Sequence, residues 1–193
     1  MNQEHDIQQA IRTFRRWARD EDALVLDTET TGLYGQVWDV AALSLTTLEP
    51  RVVFVCQPEG AWEPKARELH AARLDEILQA PPAAKFRQTL ATALQAVPLH
   101  SQVLTYGAEF DRAALLRTWP ALRLPAFDCV MQAYAPLAGK WSESRGEWKW
   151  VSLQVACELE EVPVTGTLHT ALGDAQLTVQ LIQAVARRQL AGE

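Results

Sequence analysis

Residues 23–32 read Ala23-Leu24-Val25-Leu26-Asp27-Thr28-Glu29-Thr30-Thr31-Gly32. The first four form a short continuous apolar run, the pattern of a strand buried on both faces. Side chains two apart on a strand share a face, so Asp27 and Glu29 leave its end together. A polar strand end with Gly32 serving a turn is the simplest structural account. Two carboxylates emerging on one face of a buried strand repel each other, however, unless a cation or a proton compensates. Metal binding explains the pair better.

Outward from this strand, Val37 to Leu45 and Arg51 to Val55 are rich in β-formers and separated by a short turn around Glu49-Pro50, which predicts a hairpin. Upstream, Ile7, Ile11, Phe14 and Trp17 recur at helical spacing, with Asp6 and Gln9 fitting a capping box. Arg12, Arg15, Arg16 and Arg19 lie around the other side of that helix, as a solvated face; a strand-binding patch is the weaker alternative. Downstream, a helix is expected over 83–96, closed by Pro98, then a strand at 103–106 and a helix from Phe110 to Leu116. A last short strand at 127–130 and helices over 131–137, 152–159 and 171–190 follow. Three consecutive strands followed by alternating helices and strands give an α/β fold: a five-stranded mixed sheet flanked by helices. A length of 193 residues, with no linker, reads as one domain over 1–193 with a helix appended at 1–20.

Composition is ordinary for a globular chain, at 48% hydrophobic and 22% charged. The net charge of −6 argues against a non-specific nucleic-acid coat protein. It does not exclude a nuclease, whose metal-binding carboxylates are themselves acidic. Cys56, Cys129 and Cys157 are far apart and odd in number, so they read as free thiols of a reducing compartment. No signal-peptide core and no run of membrane-spanning length is present, which points to a cytoplasmic location and no membrane partner.

Two further pieces complete a constellation. Phe110-Asp111 opens a helix directly after the strand at 103–106, where an isolated Asp would be no more than a cap. His169-Thr170-Ala171-Leu172-Gly173-Asp174 opens the last helix. Residues five apart on a straight helix lie about 140° apart, so His169 is expected on the approach and Asp174 within the helix. The order D-x-E-T-T-G, F-D, H-x(4)-D resembles the DEDDh exonuclease family, which includes the proofreading epsilon subunit of bacterial DNA polymerase III. The resemblance covers about residues 22–190, and that family's ribonuclease H-like fold agrees with the element order.

The resemblance implies 3′→5′ exonuclease activity on DNA ends, releasing nucleoside monophosphates. Asp27, Glu29 and Asp174 would hold one divalent ion, Asp27 also a second, and Asp111 would act through a water on the metal. Hard oxygen donors suit Mg²⁺ or Mn²⁺ and not zinc. Two ions about 3.5–4 Å apart would activate water and stabilise the leaving oxygen, with His169 as general base. Thr30, Thr31, Leu33, His70 and Phe110 correspond to positions near the nucleotide. The family's His-Gly-Ile is replaced here by His70-Ala71-Ala72, and Gly107 stands where many relatives carry Asn.

Residues 140–150 interleave Trp141, Trp148 and Trp150 with Lys140, Arg145 and Lys149. Such a segment either stacks on bases and contacts phosphates or packs a long loop onto the core. Nucleic acid is the expected partner, single-stranded or 3′-end DNA in the first reading and RNA in the second. No clamp-docking peptide is legible up to Glu193, so a polymerase partner is not implied. A silent strand-binding module is the reading from outside the enzymes. The intact set Asp27, Glu29, Asp111, His169 and Asp174 argues against it.

Overall fold

The structure is a computed structural model that describes residues 3–164 and 168–190. The ends of the 1–193 domain, and with them the last residues up to Glu193, lie outside the described residues. Helix α1 (Gln3–Ala18) precedes β1 (Leu24–Thr30), β2 (Val37–Ser44) and β3 (Pro50–Val55). Then come α2 (Pro64–Leu69), α3 (Leu74–Gln79), α4 (Arg87–Gln95), β4 (Val103–Thr105), α5 (Ala108–Thr118), β5 (Phe127–Cys129) and α6 (Val130–Tyr134). The chain finishes with β6 (Trp141–Ser142), β7 (Glu147–Trp148), α7 (Leu153–Leu159) and α8 (Ala171–Ala186).

The expected five-stranded mixed sheet is present, in the order β3-β2-β1-β4-β5. β1 to β3 are antiparallel neighbours, while β4 runs parallel to both β1 and β5. β1 is the central strand, and its two faces feed different cores. Val25 packs with Ala41, Leu43 and the α8 residues Ala175, Val179 and Ile182. Leu24 and Leu26 pack on the other side with Leu90, Leu94, Leu115 and Trp119. The alternation therefore directs Asp27 and Glu29, which continue the face of Val25, toward α8.

α1 buries Ile11, Phe14 and Trp17, as its spacing predicts, and lies along α8. Its start differs from the expected capping box: the helix already runs at Gln3, so Asp6 falls inside the first turn. The Asp6 carboxylate instead accepts a hydrogen bond from Trp148 Nε1 at 3.0 Å. Of the arginine face, Arg12, Arg16 and Arg19 are exposed, while Arg15 donates to the backbone oxygens of Ala186 and Arg188. Those are carbonyls at the end of α8, which a cation satisfies well.

Three elements escape a sequence reading: α2, α3 and the β6–β7 ribbon. The two helices have six residues each, too short for a hydrophobic period, though Pro64 marks the start of α2. The ribbon turns at Gly146, whose φ of 66° glycine adopts without strain. Its tryptophans divide into two uses. Trp141 and Trp148 meet edge to face at 5.1 Å and tie the ribbon to α1, whereas Trp150 remains 57% exposed. Replacing Trp148 by Ala should accordingly lower stability by about 2–3 kcal/mol, less than for a fully buried aromatic, and lower the melting temperature. An unchanged melting curve would place Trp148 outside the packing described.

Candidate active site

β1 ends in a tight turn that aims its acids. Gly32, at φ 153°, has the Glu63 side chain in the space a Cβ would need. The Thr31 hydroxyl accepts from Gln36 N at 3.1 Å, and the Thr30 hydroxyl donates to Gly32 O at 2.8 Å. Both threonine hydroxyls are thus engaged in the turn, and both side chains are buried. Leu33, next along, is 60% exposed.

Carboxylate oxygens of Asp27, Glu29 and Asp174 all lie within 4.8 Å of one another. Asp174 reaches them because α8 begins at the same end of the sheet. Its N-cap Thr170 accepts from Gly173 N at 3.1 Å, and Asp174 N donates to Thr170 O at 2.9 Å. Asp111, whose charge acts on Asp27, is 3% exposed, its Oδ1 accepting from Thr28 Oγ1 at 2.7 Å. His169 sits on the bend before α8, exposed, with a φ of 60° that a non-glycine residue rarely adopts. The approach-then-helix placement of His169 and Asp174 agrees with the spacing argument.

His70 is 4% exposed, with Nε2 3.4 Å from Glu29 Oε2 and its ring edge-on to Trp38 at 4.8 Å. Phe110 and Leu33 line an apolar cleft of about 320 Å³, together with Tyr34, Arg117, Met131, Gln132 and the exposed Trp150. The cleft shares chain segments with the acids, which do not themselves line it: Leu33 follows β1, and Phe110 immediately precedes Asp111.

Asp39 was not legible as a site residue. It lies directly across from Glu29 in the β1–β2 register, is 3% exposed, and bonds Arg73 Nη1 at 2.6 Å. An acid within Val37-Trp38-Asp39-Val40-Ala41, every residue of which is buried, was the available signal. Its partner lies 34 residues away in sequence and could not be read from it.

The electrostatics follow from concentrating acids in one place. Burial, then the charges of Asp111, Glu29 and Asp174, raises Asp27 well above the ordinary carboxylate range. Burial, then Asp174, Asp39 and Asp111, raises Glu29 to about 8. Burial raises Asp111 to about 6 against the hydrogen bonds it accepts from Thr28, and raises Asp174 against the opposing influence of His169. Burial, with the charges of His169 and Arg73, lowers His70 to about 4. A cluster of hard oxygen donors whose charges repel in this way fits a divalent cation such as Mg²⁺ or Mn²⁺.

No family model matches the sequence. A protein of Escherichia phage 186 named as an uncharacterized exonuclease, CP81, is 24% identical over 185 residues, covering 90% of this chain and 92% of the phage protein. Among solved structures, Exonuclease X in complex with 5′ overhanging duplex DNA superposes at a TM-score of 0.62 and 20% identity, covering 84% of this chain and 90% of that one. The Mg²⁺- and Mn²⁺-bound form of S. pombe Pop2p gives 0.64 at 14% identity, covering 95% and 90%. The nuclease domain of 3′hExo, described as a DEDDh family member bound to rAMP, gives 0.53 at 15%, covering 89% and 96%. The fold of this chain is ribonuclease H-like, as in these neighbours. None of the described helices is long and apolar enough to cross a membrane.

The raised acids set a pH dependence. A Glu29 carboxyl held at about 8 keeps its proton where an unfolded chain, with its carboxyl near 4.5, has released it. Metal-free stability from this group is therefore greatest at low pH and falls as pH rises through 8. His70 works in the opposite sense: depressed to about 4 from 6.5, its contribution is full above 6.5 and is lost as pH falls toward 4. The window from 6.5 to 8 thus isolates the acids. The metal-free melting temperature should fall across it, Glu29→Gln should flatten the fall, and Mn²⁺ should remove it. A melting temperature rising across that window would contradict the assignment.

Proposed function

We propose that this chain is a DEDDh-type, divalent-metal-dependent 3′→5′ exonuclease that releases nucleoside monophosphates from DNA 3′ ends. The observation that carries this reading is the convergence of Asp27, Glu29 and Asp174 within 4.8 Å at one end of a ribonuclease H-like sheet. The whole of 1–193 acts as one catalytic unit in this account, with α1 laid along its last helix.

Each side chain has a role its position allows. Asp27, Glu29 and Asp174 would hold Mg²⁺ or Mn²⁺ in a two-ion site, and Asp111 would support it through a water. Bound there, the two ions supply charge neutralisation at the phosphodiester and at the departing oxygen. His169 takes the proton of the attacking water at its imidazole. The water oxygen bonds to phosphorus, the 3′ oxygen of the preceding nucleotide leaves, and the products are a nucleoside 5′-monophosphate and a strand one residue shorter. Leu33 and Phe110 receive the terminal base in the apolar cleft, the Thr30–Thr31 turn positions the backbone beside it, and His70 steadies Glu29 from behind. Trp150, exposed at the cleft rim, stacks on a neighbouring base. RNA is the second substrate reading, because the structural relatives include a 3′-exonuclease recognising a histone mRNA stem-loop. A reducing, cytoplasmic setting fits three cysteines that are free in the fold.

A 5′-labelled single strand with Mg²⁺ or Mn²⁺ should give a descending ladder that EDTA abolishes. A folded protein inert on both DNA and RNA with either ion would overturn the reading. Asp27→Ala, Glu29→Ala and Asp174→Ala should each reduce turnover by about 100-fold or more, beyond the usual loss for a metal's outer partners. His169→Ala should lower kcat by about 10²–10⁴-fold while retaining metal and strand binding, as expected for a lost general base. Near-normal turnover in that variant would assign the proton to another group. Trp150→Ala should weaken strand binding measured by fluorescence anisotropy with the melting temperature nearly unchanged; equal binding would remove the stacking role.

A further inference from the structure

Asp39 joins two chain segments that both border the acidic cluster. Its Oδ2 accepts from Arg73 Nη1 at 2.6 Å and from the backbone N–H of Ala171 at 3.3 Å. Ala171 is the first residue of α8, and Asp174 follows one turn later. Arg73 closes the short 3₁₀ turn Ala71–Arg73 that starts from His70, whose Nε2 meets Glu29. One carboxylate oxygen therefore ties the residue behind Glu29 and the helix carrying Asp174 to the strand paired with β1.

The clamp is built on both sides. The Arg73 guanidinium lies over the Trp38 ring at 4.9 Å, and Trp38 is fully buried. Its Nε donates to Glu76 at 2.8 Å, which leaves Nη1 for Asp39 in the fork geometry that arginine offers. An acid this buried beside four others would aggravate their repulsion were it not matched by a fixed cation. Among the described residues, Asp39 is outside the group whose oxygens converge on a common centre.

We propose that Asp39 is a positioning residue: with Arg73 it fixes the start of α8, and so Asp174, against Asp27 and Glu29, setting the metal site's geometry without ligating the ion. This rests on reading the cluster as a metal centre. It makes a prediction opposite in sign to that of charge alone. If Asp39 and Arg73 acted only through their charges, removing the cation would make the site more negative and tighten Mn²⁺ binding. As a clamp, Arg73→Gln weakens it.

The test is calorimetric Mn²⁺ titration of Asp39→Ala, Asp39→Asn and Arg73→Gln in the full chain, with kcat and KM for a 5′-labelled strand and hydrogen exchange across the first turn of α8. Asp39→Ala should weaken Mn²⁺ binding about 10–100-fold, the range typical of outer partners of metal ligands. It should lower kcat more than KM changes and speed exchange at the start of α8. Asp39→Asn, which keeps an acceptor for Ala171, should recover part of each loss. Should Asp39→Ala fail to fold, Asp39→Asn and Arg73→Gln decide alone. Tighter or unchanged Mn²⁺ binding in Arg73→Gln, or unaltered exchange in the Asp39 variants, would overturn the clamp. A wild-type chain that binds Mn²⁺ but cleaves nothing would overturn the exonuclease reading and leave the clamp judged by binding and exchange.

Discussion

Like-charge repulsion between Asp27 and Glu29 is the constraint on which the rest of the site depends. The alternation of β1 forces the two carboxylates onto one face, and burial of the strand removes the water that would screen them. α8 adds Asp174 to the same space and α5 adds Asp111, so folding concentrates negative charge where the backbone is least able to relax. The fold accepts this with three compensations: raised proton affinity in the acids, the Arg73 cation held on Asp39, and a donor geometry suited to divalent ions. A site that is unfavourable alone and favourable with a cation is one in which metal binding and local order are coupled.

The sheet was legible because its signals are local. The apolar run before Asp27, the hairpin turn at Glu49-Pro50 and the short strands before each helix all depend on residues adjacent in sequence. Asp27 and Glu29 were legible because their spacing obeys strand geometry, whereas Asp111, His169 and Asp174 stood out only through the resemblance of the combined order to the DEDDh family. The five-residue separation added that His169 and Asp174 do not share a helix face. What stayed hidden depends on contacts between distant segments. Asp39 reads as a lone polar residue in an apolar strand until Arg73 is brought to it. The Asp6–Gln9 capping pattern misled, because Asp6 is used by Trp148, more than a hundred residues downstream. The Trp-rich segment could not be divided between packing and exposure without knowing which tryptophan meets α1.

Position in the fold also separates chemistry from support. The acids of the proposed metal centre come from β1 and α8, whereas the far end of α8 is closed by the Arg15 side chain donating to backbone carbonyls and by Glu160 pairing with Arg188 and Tyr134. The apolar cleft beside the acids has aromatic side chains at its rim and few polar groups. Such a lining favours stacking over hydrogen-bonded base recognition and would suit the proposed nuclease in holding strands without reading their sequence.

The central claim is that Asp27, Glu29 and Asp174 form a divalent-metal centre. Crystals soaked with Mn²⁺ and a nucleoside 5′-monophosphate, measured at a wavelength where manganese scatters anomalously, test it most directly. The account predicts anomalous manganese density at the cluster, within coordinating distance of Asp27, Glu29 and Asp174. Absence of any peak at the cluster, or an ion held without Asp27, would contradict it.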